Sequence, residues 1–96
     1  MKKLEAAEIE TKLQALSGWA ETAGALEKTY SFADYHRVMA FVNAVAFEAH
    51  ASDHHPDLGV HFDRVKVTFT THDAGGVTSL DTDSASRVEQ LFSRSR

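Results

Sequence analysis

His54 and His55 stand side by side, fused to Pro56, and His72 follows on the far side of an alternating apolar run. Imidazole is the side chain whose ordinary pKa lies nearest neutrality, so it gives or takes a proton near pH 7 with little retuning. A pair of such rings on a chain-breaking turn, with a third delivered by a strand end, is the pattern of an acid–base site. Adjacent side chains diverge, so one ring can meet a ligand's reacting atom while its neighbour orients the ligand. Pro56 stiffens the turn and reduces the freedom lost in holding the pair in place. The plainer reading of the pair is a solvated loop closing a helix, where the negative helix end tolerates His. For His72 it is a surface residue.

Other residues bear on the same chemistry. His50 and His54 are four apart on a helix end and share a face. That spacing can bind a metal. However, Ala51 occupies the position where a zincin pattern needs Glu, and zinc prefers three or four fixed ligands. No metal and no organic cofactor is expected. Asp81 is read either as the capping acid of the last helix or as a carboxylate orienting an imidazole. Trp19 fills the core edge or lines a pocket. His36 and His61 fall on polar positions and receive no role. Gly75-Gly76 permits a tight turn. The chain has no glycine-rich phosphate loop, serine-nucleophile motif or basic aromatic stripe.

Seven elements must position these residues. Ile9, Leu13 and Leu16 recur at helical spacing within 5–16, and Ser17-Gly18 ends that helix. Residues 19–22 and 26–32 read as two strands joined by a turn at Ala23-Gly24. Asp34 is the N-cap of the strongest helix, with Val38, Phe41, Val42, Val45 and Ala49 inward. Pro56 forces that helix to end near Asp53. Residues 60–63 and 65–71 alternate as two further strands. By parity His72 follows Thr68 and Thr70, away from Val67 and Phe69. Thr78-Ser79-Leu80-Asp81 has the form of a capping box with Asp in the fourth place, opening a last helix. The expected fold is α+β: a two-layer sandwich in the order α-β-β-α-β-β-α, its four-stranded antiparallel sheet covered on one face by three helices. In that arrangement the end of the fourth strand can lie beside the end of the second helix. His54 and His72 would then converge on one small cavity.

Composition sets the outer bounds. A chain of 96 residues with 43% apolar and 25% charged residues is expected to form one globular domain over 1–96. It has no cysteine, which excludes disulfides, thiolate metal sites and thiol nucleophiles. No signal peptide and no membrane-spanning run is read from it. The net charge of −4 argues against nonspecific nucleic-acid binding. A cytoplasmic location is expected.

With these residues in view, the chain resembles the pterin-4a-carbinolamine dehydratases. The family signature is matched in register by His50, His54, His55, Pro56, Phe62, His72 and Asp81. The flanks agree at Gly18-Trp19, Tyr30-Ser31-Phe32 and Thr71-His72-Asp73-Ala74-Gly75-Gly76. His50 departs from the commoner Glu, which leaves open how the surroundings of the site are charged. Asp53, often Asn, is a smaller departure.

The resemblance implies a hydro-lyase that removes water from 4a-hydroxytetrahydropterin to give quinonoid dihydropterin. That reaction restores the tetrahydrobiopterin-type cofactor of aromatic amino-acid hydroxylases. It implies His54 and His72 as the acid–base pair, in an order the sequence leaves open, with His55 holding the pterin. Asp81, His50, Asp53, Trp19 and Thr71 are implied as supporting or substrate-contacting residues. A homodimer or homotetramer is implied too. Unpaired strand edges give a physical reason for it. The alternative reading is a non-catalytic interaction module on the same fold, since animal members also bind a transcription factor.

Overall fold

The structure, a computed structural model describing residues 1–94, follows the expected element order. Helix α1 (Ala6–Leu13) is followed by strands β1 (Ala20–Thr22) and β2 (Ala25–Ser31) and helix α2 (Tyr35–Ser52). Strands β3 (Asp57–Val60) and β4 (Arg64–Phe69) then lead, through a 3-10 turn at His72–Ala74, to helix α3 (Ser79–Arg94). The sheet order is β1-β2-β4-β3, antiparallel throughout. No helix among the described residues is long and apolar enough to cross a membrane.

The alternation read from the sequence decides which face is covered. Val65, Val67 and Phe69 are buried, whereas Arg64 and Lys66 are exposed. Leu26 pairs with Phe69 and Tyr30 with Val65, so the inward rows of β2 and β4 coincide. Val38, Phe41 and Val45 from α2, and Ala85 and Val88 from α3, close the same core. Each fully buried Val, Leu or Phe side chain contributes about 1.5–3 kcal/mol. The hairpin between β1 and β2 turns at Ala23 and Gly24, whose φ angles are 52° and 81°. Two consecutive positive φ values match the right-handed twist of the flanking strands.

At the edge of the core, one half-buried carboxylate oxygen gathers three donors. Glu89 Oε1 on α3 accepts from Tyr30 OH at 2.6 Å, Lys28 Nζ at 2.8 Å and Trp19 Nε1 at 3.3 Å. Burial alone would raise the Glu89 pKa. Hydrogen bonds from Lys28 and Tyr30, the Lys28 charge and the Trp19 donor outweigh it and hold the carboxyl below its ordinary range. Burial, then the hydrogen bond to Glu89 and its charge, push the Tyr30 phenol far above the usual range.

Three local features differ from expectation. The first helix is shorter and stops at Leu13. Bonds from Ala15 N to Lys12 O and from Leu16 N to Leu13 O continue it only as tight turns. The third strand lies earlier, at Asp57–Val60, because Pro56 fixes an extended-compatible φ and the chain pairs at once. Val60 faces Val65 as the last rung, and 61–63 form the turn, leaving Phe62 exposed. The alternation over 60–63 therefore spans the last residue of β3 and the turn that follows it. The fourth strand ends at Phe69; Thr71 bridges to Gly76 and the chain enters the 3-10 turn. Strand parity therefore does not extend to His72.

Candidate functional site

His54 is held at both ends. Helix α2 stops when Asp53 adopts a left-handed conformation, φ 54° and ψ 38°. Asp53 N then donates to His50 O at 3.3 Å and His54 N to Ala49 O at 3.2 Å. These are the two bonds of a Schellman cap, so the backbone of His54 is part of the device that ends the helix. Pro56 follows and keeps the helix from resuming. The His54 ring lies nearly parallel to Phe69 of β4, with centroids 5.8 Å apart and planes 14° apart. Its Nε2 donates to Asp81 Oδ1 at 2.6 Å.

Asp81 is fully buried, and its two oxygens do different work. Oδ1 receives His54. Oδ2 accepts from Thr78 N at 2.8 Å, and Leu80 N donates to Thr78 Oγ1 at 3.2 Å. These two bonds form a capping box for α3, with Thr78 as the cap and Asp81 three residues on. Position in the first turn also places the carboxylate where the helix dipole favours a negative charge. One side chain thus both caps α3 and contacts the His54 ring. Oδ2 accepts a second donor, Thr71 Oγ1, at 2.8 Å. Thr71 is the residue before His72, so the loop carrying the third imidazole is tied to Asp81 and through it to His54.

Other predicted residues are placed as follows. His55 and His72 are exposed, beside His54 and Thr71 respectively. His50 is exposed on the last turn of α2, and Asp53 is the left-handed residue of the cap. Trp19 is 5% exposed and lies in the core, 6.1 Å from Phe69 between ring centroids, so it backs the residue behind His54. The sequence assigned Thr78 only a capping role; its hydroxyl lies 2.9 Å from Thr71 Oγ1 inside the site network. The signal available for it was its place at the head of the capping box. Among the described residues, no group of three or more His, Cys, Asp or Glu is placed to hold a metal.

Three surface clefts of the described residues lie away from His54 and His72. The largest of these, about 470 Å3, lies between β2, α2 and α3 and is lined by residues including Phe32, Arg37, Phe41 and Leu91. A second, of about 310 Å3, reaches the His72 loop only through Gly75, Gly76 and Val77. A third, of about 180 Å3, lies between α1 and α3. None of the three is lined by His54, His55 or His72. His55 and His72 are presented on the surface, whereas His54 is backed by a buried network.

The model of the pterin 4 alpha carbinolamine dehydratase family matches residues 2–91. The chain belongs to that family. A relative from Xanthomonas campestris pv. campestris (strain 8004), provisionally named pterin-4-alpha-carbinolamine dehydratase, is 51% identical over 92 residues, covering 94% of this chain and 78% of its own length. One from Paracidovorax citrulli, with the same provisional name, is 49% identical over 96 residues, covering 96% and 83%. The crystal structure of a transcriptional coactivator/pterin dehydratase from Brucella melitensis superposes with a TM-score of 0.90 at 32% identity, covering 94% of this chain and 98% of that one. A pterin dehydratase-like protein identified as a RuBisCO assembly factor in the alpha-carboxysome shares the fold, with a TM-score of 0.64 at 22% identity over 76% and 84%. The carbinolamine dehydratase family is therefore the frame in which the His54–Asp81 pair is read.

Proposed function

We propose that the protein is a hydro-lyase that converts 4a-hydroxytetrahydropterin to quinonoid dihydropterin and water. The observation that carries this reading is the 2.6 Å contact between His54 and the fully buried Asp81. A buried carboxylate fixed by a backbone amide and a hydroxyl holds one imidazole in one orientation, as acid–base work requires. The chemistry needs two proton movements. The C4a hydroxyl leaves as water once it is protonated, and N5 loses its proton as the new double bond forms. One imidazolium and one neutral imidazole supply both, and exchange with solvent resets them. Assistance of this kind contributes roughly 10²–10⁴ in rate.

His54 and His72 take these two roles, and His55 holds the pterin. Asp81 and Thr71 position His54. Trp19 acts only through Phe69, and His50 and Asp53 act from the end of α2. After a separate two-electron reduction, the product returns to the tetrahydropterin used by aromatic amino-acid hydroxylases in the cytoplasm. The protein self-associates as a dimer or tetramer, a state that sizing at several concentrations resolves.

The test is the decay of freshly generated carbinolamine with and without the protein. Acceleration that is lost on combining His54→Ala with His72→Ala supports the reading. No acceleration, or acceleration unchanged in that double variant, overturns it.

A second reading, a non-catalytic interaction module, draws on the description of the Brucella relative as a transcriptional coactivator and on Phe47, 78% exposed on α2. Its mark is a co-purifying partner whose binding survives loss of all three imidazoles and fails in Phe47→Ser.

A further inference from the structure

The hydroxyls of Thr71 and Thr78 belong to a chain of hydrogen bonds whose direction follows from which atoms can donate. A carboxylate only accepts, so the single proton of Thr71 Oγ1 is committed to Asp81 Oδ2, 2.8 Å away. Thr71 Oγ1 can then serve its other neighbour only as an acceptor. The contact of 2.9 Å between the two hydroxyls is therefore a donation from Thr78 to Thr71. Thr78 Oγ1 in turn accepts from Leu80 N at 3.2 Å. Every member is satisfied, and all the protons point the same way. The chain runs from the first turn of α3 through Thr78 and Thr71 to one oxygen of Asp81. Thr78 N donates to that same oxygen. With Oδ2 occupied by two donors, Oδ1 faces His54 Nε2. Thr78 and Asp81 are fully buried and Thr71 is 9% exposed, so water offers little substitute for any of these bonds.

We propose that Thr71 and Thr78 are positioning residues that set the tautomer of His54. They hold Asp81 so that its free oxygen always receives the Nε2 proton, and the neutral ring therefore presents an unprotonated Nδ1 to whatever occupies the site. This inference rests on the dehydratase reading for its purpose but not for its geometry. It goes beyond assigning His54 to the acid–base pair, because it names which nitrogen does the work and what enforces the choice.

The experiment is long-range proton–nitrogen NMR on 15N-labelled protein, comparing wild type with Thr71→Val, Thr71→Ser and Thr78→Ala. In wild type, neutral His54 shows a pyrrole-type Nε2 bearing a slowly exchanging proton and a pyridine-type Nδ1. Thr71→Val removes one donor from Oδ2 and strands the Thr78 hydroxyl. The Nε2 proton then exchanges roughly tenfold faster, the worth of about one hydrogen bond, and kcat falls by a similar factor with KM little changed. Thr71→Ser restores both. An Nδ1-protonated His54 in wild type overturns the proposal without reference to any variant. A folded Thr71→Val or Thr78→Ala protein with wild-type His54 signals overturns it as well. Wild-type signals that behave as expected in a protein with no carbinolamine turnover uphold the relay and reject the dehydratase reading, so the two fail separately.

Discussion

Replacing Asp81 by Asn removes the charge and leaves the shape. The outcome follows from the three donors around it. Thr71 Oγ1 and Thr78 N both donate to Oδ2, so the amide oxygen of Asn must take that place. The amide NH2 then turns towards His54, where Oδ1 now sits 2.6 Å from Nε2. Two donors cannot share that contact. Nε2 becomes an acceptor and the ring proton moves to Nδ1, so Nδ1 is changed from acceptor to donor. In the Ser-His-Asp proteases the matching Asp→Asn change leaves geometry intact and costs about 10⁴ in kcat through the wrong tautomer. Here only the acid–base contribution is at stake, so the expected loss is about 10²–10⁴.

Stability changes less. Each hydrogen bond loses its charge assistance, about 1 kcal/mol apiece, and the lower cost of burying an amide offsets part of that sum. The net destabilisation is about 1–2 kcal/mol. Carbinolamine decay gives the rate and urea unfolding gives the stability. A folded Asp81→Asn protein with kcat within about threefold of wild type refutes the argument, because the orienting carboxylate would then do no catalytic work.

Other outcomes follow from the core and the loops. Glu89→Gln removes charge from the oxygen that receives Trp19, Lys28 and Tyr30, and is expected to cost about 1–3 kcal/mol in urea unfolding. Because the Glu89 carboxyl sits below its ordinary value of 4.5, its contribution is fully present above that pH and is lost as pH falls through the lowered value. A stability–pH titration should show this acid loss in wild type and lack it in Glu89→Gln; identical curves would sink the assignment. Gly75→Ala places an L side chain at φ 76° and should cost about 1–2 kcal/mol, although nothing stands within 4 Å of the new Cβ. Gly76→Ala meets only the flexible Lys3 side chain, 2.6 Å away, and should stay within about 0.5 kcal/mol of wild type. Thermal unfolding of the two variants checks the contrast.

Much of the fold was legible because its signals are local. Asp34 caps α2 in the structure through a 2.8 Å bond from Arg37 N, and the period of Val38, Phe41 and Val45 marks the buried stripe. The alternation of β4 announced its inward row. The errors fall where local pattern and pairing diverge. Residues 60–63 alternate in type, yet only Val60 is paired and 61–63 turn, since β3 takes its register from β4 rather than from its own sequence. His72 loses its parity because Thr71 pairs with Gly76 instead of continuing the strand. For the site, the residue types at 54, 71 and 81 were visible, but their joining was not. A contact between residues 27 apart leaves no mark on either segment. The double duty of Asp81 was equally hidden, because a capping acid and an orienting acid look alike in a sequence. The role of Thr78 emerges only when the hydroxyls are seen to touch.

The carboxylate that starts α3 is also the one that steadies His54. Whatever binds or protonates that ring therefore pulls on the opening turn of the last helix. Amide exchange at Thr82, whose N–H bonds back to Thr78 O at 3.3 Å, thus becomes a gauge of occupancy at a surface it never meets. A screen for ligands could read protection at that single amide and need no knowledge of turnover.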